Sequence, residues 1–354
     1  MQASTLNEPN ENKVCKTCDG GVAGREKHSP QKATGGAGIK RRFERAKPLC
    51  AGTALPREVR RQVGHYKETF MKAPPFAYAR ARNLAEVFEL LERHGDNAKI
   101  LAGGQSLMPA LNMRLSSPEL LIDISRLQEH AGVQVKDGHV HIGALTTHAA
   151  IGESADLRKH LPLLADAVEH IAHPAIRNCG TFGGSLAMAD PAAEWPACCV
   201  VLDAQIMLAS KSGTRRVAAQ DFFQGLYATV LQPNEVITEV VIPIPGAGYR
   251  HAFLELARRR GDYAIVGVAA MAKISGTSIS DLRLVYLGAS EKPVPALETS
   301  QLFVLKGFSE SALKEAQQTL AGELDPAADL YSSVATKLHL AQVLTTRVMK
   351  QLAA

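Results

Sequence analysis

TFGGSLAMADPAAEWPA, residues Thr181–Ala197, sets two glycines behind a threonine and follows them with alanines, an acid and two prolines. Upstream, ILAGGQSLM (Ile100–Met108) repeats the idea: a short apolar strand runs into a glycine pair, and a hydroxyl residue follows. Glycine permits positive φ and lets a ligand approach the main chain. A run of exposed N–H groups in such a turn makes an anion-holding nest. Ser106 and Ser185 add hydrogen bonds without bulk. Two such nests suit a diphosphate held between them, with no lysine to neutralise it. Each glycine pair on its own is more often simply a tight turn. Neither fits GxGxxG or GxxxxGK[ST]. The spacing alone gives an α/β protein with a possible phosphorylated cofactor.

The text around these turns is ordered. Asn83-Leu-Ala-Glu86 resembles a capping box, and Leu84, Val87, Leu90 and Leu91 form a helical apolar stripe that Gly95 is suited to stop. KILAGG (Lys99–Gly104) and LLIDI (Leu120–Ile124) read as strands. VQVKDGHVHIG (Val133–Gly143) reads as a hairpin about Asp137-Gly138. The apolar run Val200–Ser210 leads to a turn at Lys211–Gly213, and VVIPIP (Val240–Pro245) ends a strand. Beyond a linker at Gly246–Gly248, AIVGVAAMAKI (Ala264–Ile274) and LRLVYLGAS (Leu282–Ser290) read as strands, and Lys337–Leu352 as a helix. A chain of 354 residues has room for two or three packed units. The divisions expected are a basic, disordered extension over 1–70, a unit over 71–246 with a break near 125–130, and an α+β unit over 247–354.

The net charge of +5 belongs to one end. Residues 1–70 carry 14 Lys and Arg against 7 Asp and Glu, and the remainder 26 against 28. That arm admits a nucleic-acid-docking reading. Its Cys15-Lys-Thr-Cys18 is a lone CxxC, with Cys50, His28 and His65 at irregular distances, so no metal site is expected. Cys179, Cys198 and Cys199 sit among small apolar residues, where buried inert thiols are the common case. No run is apolar enough to span a bilayer, and the opening MQASTLNEPNENKVC has no signal-peptide core. The cytoplasm is the expected compartment.

Three stretches resemble signatures of one family. AGGQSLMPALNMRL (Ala102–Leu115) with LLIDISRL (Leu120–Leu127), IRNCGTFGGSLAMADPAAEWPA (Ile176–Ala197) and ARRRGDYAIVGVAA (Ala257–Ala270) are similar, in order, to the FAD-binding medium subunit of the molybdenum hydroxylases, and most of all to that of aerobic carbon monoxide dehydrogenase. The resemblance runs from about Met71 to the C-terminus. It implies an α+β fold: two subdomains of the vanillyl-alcohol-oxidase-like type clasping FAD, then a domain with a three-stranded antiparallel sheet and helices. It implies a flavoprotein component of an oxidoreductase. A partner with two [2Fe–2S] clusters relays electrons from a molybdopterin subunit. FAD passes them to a quinone, NAD or another carrier. The assembly implied is a dimer of heterotrimers, with no nucleic acid and with at most peripheral attachment to the inner membrane face.

The same resemblance implies site residues. Ile100, Leu101, Ala102, Gly103, Gly104, Gln105, Ser106 and Leu107 match the first FAD loop. Thr181, Phe182, Gly183, Gly184 and Ser185 match the second, with Gly183 and Gly184 closing on the phosphates. Glu194 matches an acid that contacts a sugar-like part of FAD, and Asp190 competes for that role. Ile171 and Ile237 fall near FAD-contacting positions but read equally well as core. Many relatives carry a lysine where this chain has Leu254, Glu255 and Leu256. Arg258, Arg259 and Asp262 read as flavin contacts or as an ion-pair cluster. Tyr227 is a candidate lid, Trp195 packs beside the FAD sugar, and no catalytic acid–base residue is expected. Two rivals stand beside this reading: a stand-alone flavin oxidase or dehydrogenase, and a non-enzymatic scaffold with a nucleic-acid-binding arm.

Overall fold

The computed structural model describes residues 72–276 and 278–354. The basic extension expected over 1–70, with its CxxC pair, lies outside the described residues.

The chain opens with β1 (Ala77–Arg80), α1 (Leu84–His94), β2 (Ala98–Leu101), α2 (Leu107–Asn112) and β3 (Leu120–Asp123). The strands form a parallel sheet of order β1-β3-β2. Asn83 caps α1 by accepting from the Glu86 N–H at 3.0 Å. Glu86 does not return the bond to Asn83: its carboxylate accepts from the Arg82 N–H at 2.7 Å. Val87 and Leu91 on the inner stripe pack with Ala98, Leu120 and Ile122. Both faces of β3 are covered, which is why LLID carries no alternation.

A second sheet is antiparallel. The hairpin β4 (Val133–Lys136) and β5 (His139–Gly143) turns at Asp137 and Gly138, with φ of 50° and 74°. Two consecutive positive φ values match the twist of a two-residue hairpin. Six short helices follow: α3 (His148–Glu153), α4 (Ala155–His160), α5 (Pro162–Ala167), α6 (Pro174–Arg177), α7 (Phe182–Met188) and α8 (Glu194–Val201). Then come β6 (Gln205–Ser210), β7 (Gly213–Ala218), α9 (Ala219–Phe222), the ribbon β8 (Phe223–Gly225) and β9 (Ala228–Thr229), and β10 (Val236–Pro243). The sheet order is β4-β5-β10-β6-β7, with β8 and β9 paired apart. The apolar run Val200–Ser210 divides between two elements. Val200 and Val201 close α8, Asp203 turns the chain at φ 53°, and β6 starts at Gln205.

The third sheet holds three long antiparallel strands, β11 (Tyr249–Leu256), β12 (Val266–Ser275) and β13 (Ser278–Leu287), and a two-residue edge, β14 (Val294–Pro295). Three helices complete the chain: α10 (Leu297–Lys306), α11 (Glu310–Glu323) and α12 (Val334–Ala353). The first seven residues of β12 are all buried. Ala269 and Met271 face the core that contains α8, whereas Val268, Ala270 and Ala272 face the helices, with Phe303 and Val348. A sheet covered on both sides by close neighbours selects small apolar residues, and a larger side chain at Ala269 or Ala270 costs about 1–3 kcal/mol by overpacking. The Tyr286 hydroxyl, fully buried, meets Thr345 of α12 at 2.6 Å. All eight residues of α8 are buried, so this helix serves as a shared wedge between layers. Among the described residues no helix is long and apolar enough to cross a membrane.

Candidate functional site

The first glycine turn leaves the carboxyl end of β2 and enters α2. The backbone N–H groups of Gly103, Gly104, Gln105, Ser106 and Leu107 have no acceptor among the described residues. The Gln105 amide braces the turn by donating to the Gly103 carbonyl at 2.9 Å. Gly104 has φ 72°, a conformation that strains any residue with a Cβ. The result is a row of free donors at the carboxyl edge of a parallel sheet, where open α/β folds place phosphates.

The second turn is built otherwise. Gly183 donates to the Ala144 carbonyl at 2.8 Å and Phe182 to that of Thr146 at 2.9 Å. Gly184 donates to the Thr181 hydroxyl at 3.2 Å and Ser185 to the Thr181 carbonyl at 3.1 Å. Its N–H groups are therefore spent inside the protein, and the expectation of a matching second nest is not met. Gly183 is bare because the chain end of β5 passes over it: a Cβ there would lie 2.6 Å from the Ala144 Cβ. What this turn still offers outward is the Ser185 hydroxyl, which has no partner among the described residues; Gly184 is closed off by Thr181, whose hydroxyl would lie 2.7 Å from a Cβ there.

The turns abut. A Cβ on Gly103 would overlap the Cys179 carbonyl oxygen and lie 2.9 Å from the Gly180 Cα. The first turn is thus pressed, backbone to backbone, against the residues that lead into the second.

Beyond the second turn lies a wall of acids and tyrosines. Asp190 accepts from the Ala192 N–H at 2.9 Å, with the Tyr227 hydroxyl at 3.5 Å from its other oxygen. Glu194, only 9% exposed, accepts from no other residue's hydrogen-bond donor among those described. Burial, and then the charge of Asp190, push its carboxyl up to about 7. Glu255 stands on β11 with one buried oxygen that has no partner among the described residues. Burial and Glu194 push it up to about 8. Among the described residues no lysine or arginine pairs with Glu194 or Glu255, so the position doubted for want of a lysine holds an acid that keeps its proton near neutrality. Tyr263 stands beside them with its ring largely exposed, and partial burial of its hydroxyl, then the charges of Asp190 and Glu194, raise its pKa.

The segment carrying Tyr263 is anchored tightly. Gly261, at φ 84°, packs against Ala172, whose own φ is 43°. Arg177 donates to the Ile171 and Ala172 carbonyls at 2.8 and 3.1 Å and so holds that turn. Arg258 stacks 3.9 Å over the Tyr331 ring, and Arg260 pairs with Glu169 at 3.0 Å. The contact of Arg258 favours its structural reading, and Arg260 beside it forms an ion pair of the expected kind.

Several candidate residues are core. Phe182 and Trp195 are fully buried and meet edge to face at 5.3 Å between centroids. Ile171 and Ile237 belong to the same core. Trp195 thus packs on the second turn from the core side, and its indole N–H donates to His148 Nδ1 at 3.0 Å. Cys198 and Cys199 are buried, with thiols raised by burial, but Cys179 is exposed. Sequence reasoning missed Tyr263 and His148. The first stood one place beyond the quoted Asp262; the second had no signal, because a buried histidine looks like any other in the text.

A free N–H row, a second turn seated against it and a buried acid free to accept from hydroxyls define a binding protein for a diphosphate-bearing dinucleotide. The family described as FAD binding domain in molybdopterin dehydrogenase matches residues 74–245, and that of the CO dehydrogenase flavoprotein C-terminal domain matches 251–352. The glyceraldehyde dehydrogenase medium chain of Sulfolobus acidocaldarius is 36% identical, over 80% of this chain and 100% of its own. Subunit alpha of the 6-hydroxypseudooxynicotine dehydrogenase complex of Paenarthrobacter nicotinovorans is 38% identical, over 80% and 95%. A chain of the carbon monoxide dehydrogenase structure from Hydrogenophaga pseudoflava, lacking the Mo-pyranopterin moiety, superposes with a TM-score of 0.77 at 34% identity, covering 79% and 98%. The chain belongs to the FAD-binding medium-subunit family of the molybdopterin dehydrogenases, and it is a component of an oxidoreductase whose cofactor is FAD. The residues present fit that cofactor: the orphaned N–H groups answer a diphosphate, and the unpartnered Glu194 answers sugar hydroxyls.

Proposed function

We propose that the chain is the electron-transfer subunit of a multi-subunit molybdenum hydroxylase of the carbon monoxide dehydrogenase type. The observation that carries this is the abutment of the two turns at Gly103 and Cys179, which joins a donor row to a hydroxyl-bearing turn. Residues 100–107 form the first FAD loop, and the N–H groups of 103–107 hold the diphosphate, with Ser106 and Ser185 adding hydroxyl contacts. Thr181 shapes the second turn by capping α7. Glu194 accepts from hydroxyls of the sugar-like part, and Asp190, already engaged by Ala192, supports Tyr227 instead. Tyr227, at φ 53° on the tip of the β8–β9 ribbon, and Tyr263 are the movable aromatic edge of the site. Glu255 keeps a neutral carboxyl beside Glu194 at physiological pH, which lowers the charge of the wall.

FAD, when bound, accepts electron pairs or single electrons and so links a substrate-oxidising centre to an external acceptor. The [2Fe–2S] and molybdopterin subunits, and a quinone, NAD or other acceptor, are the partners this assigns. The relatives' names span glyceraldehyde, 6-hydroxypseudooxynicotine and carbon monoxide, so substrate choice belongs to the partner. The test is purification of the chain alone and with its co-expressed partners. The account expects a yellow chain that turns over no substrate alone and is reduced by substrate within the complex. A colourless chain, or substrate turnover by the lone chain, overturns it.

A further inference from the structure

The cavity of about 700 Å³ behind the second turn shares no lining residue with positions 100–107 or 181–194. It is bounded by α3, α5 and α6, and His148, Arg158, Arg177 and Asn178 reach it. Its size is ordinary for a small-molecule site.

His148 is 94% buried, yet it is only half satisfied. Trp195 donates to its Nδ1, so in the neutral ring the proton sits on Nε2. Nε2 has no hydrogen-bond partner among the described residues, and the residue lines the cavity. Burial, followed by the nearby charge of Arg177, holds the ring neutral, down to about 4. Arg177 uses one terminal nitrogen on the Ile171 and Ala172 carbonyls, has further donors left, and lines the cavity. The Asn178 amide is exposed and unengaged, and Arg158 adds a second guanidinium.

The acids around the cavity are mostly committed elsewhere. Asp166 meets His251 at 3.1 Å, and Glu169 meets Arg260 at 3.0 Å. Glu153 is exposed at the mouth. The polar groups left over are donors that line one cavity with the histidine: Arg158 spends one terminal nitrogen on the Gly152 carbonyl and has others to spare. A planar guanidinium beside a neutral N–H donor suits an oxyanion.

We propose that this cavity is a binding site for a small ligand carrying a carboxylate or phosphate group, held by His148 Nε2–H, Arg177, Asn178 and Arg158. The site sits against the back of the second turn, because the His148 N–H donates to the Gly180 carbonyl at 2.9 Å. Occupancy is therefore placed to reach the flavin side through a shared backbone, although the site does not depend on the flavin assignment.

Trp195 is the only tryptophan and bonds the site's histidine, so its fluorescence reports occupancy directly. The experiment titrates the full FAD-loaded chain with inorganic phosphate and, separately, malonate, at fixed ionic strength with chloride as the balancing anion. A saturable Trp195 change with either anion is expected. A response to malonate alone marks a carboxylate ligand, and one to phosphate alone a phosphate ester. The double variant Arg158→Ala with Asn178→Ala alters two exposed side chains, and its Kd rises about tenfold or more while its flavin spectrum is unchanged. No saturable change up to about 10 mM of either anion, or an equal response in the double variant, overturns the proposal.

Discussion

The two glycine turns look alike in the text and differ in what they do with their N–H groups. In the first, five consecutive donors have no acceptor among the described residues. In the second, the N–H groups of 182–185 are all consumed by Ala144, Thr146 and Thr181. The lesson is that a glycine pair marks close approach to a backbone, and the backbone or ligand approached must be found in three dimensions. One turn is shaped to receive an anion, and the other is shaped to let β5 and the first turn pass.

The sharpest way to break this contrast is the junction. Gly103→Val drives a side chain into the Cys179 carbonyl, so the expected loss is about 3 kcal/mol or more in urea unfolding, and FAD is lost with it. Next comes Gly183→Ala, whose Cβ meets Ala144. It costs about 1–3 kcal/mol by overpacking, with and without FAD, and leaves the Kd for FAD in the folded protein within about threefold. Gly104→Ala behaves in the opposite sense. Its nearest neighbours are the movable ends of Leu101 and Met108, at 3.2 and 3.3 Å, so the fold survives with about 1–2 kcal/mol of backbone strain. The donor row is distorted, and FAD affinity measured by flavin release falls about tenfold.

Glu194→Gln removes a charged acceptor and raises the Kd for FAD about tenfold. The smallest expected effect is on pH dependence. Glu194 and Glu255, at about 7 and 8, bind protons more tightly folded than unfolded, where 4.5 applies. Their contribution to stability is full below pH 4.5 and is lost as pH rises through 7 to 8. His148, at about 4 against 6.5, acts in the other direction, and its contribution is lost as pH falls from 6.5 towards 4. Between pH 6.5 and 8.5 only the carboxyls count among these three. The Tm of the FAD-free chain should fall by about 3–6 °C over that window, and less in Glu194→Gln.

Much of the fold was legible because its signals are local. Asn83 and Gly95 mark the ends of α1, Asp137-Gly138 marks the hairpin, and the small-residue run at 264–274 marks a strand buried on both faces. The positions of the turns were legible in the same way. Their inequality was not, because the acceptors of Gly183 and Phe182 lie some forty residues upstream in sequence, at Ala144 and Thr146. Nor was the state of Glu255 readable. Its proton affinity depends first on burial and then on Glu194 arriving from α8, and nothing local to LELARRR announces either.

Residue-resolved amide hydrogen exchange, with and without FAD, tests the division of labour most directly. The account predicts strong new protection at 103–107 on FAD binding and little change at 182–185, whose amides are already bonded. Equal gains at both turns, or gains confined to 182–185, would contradict it.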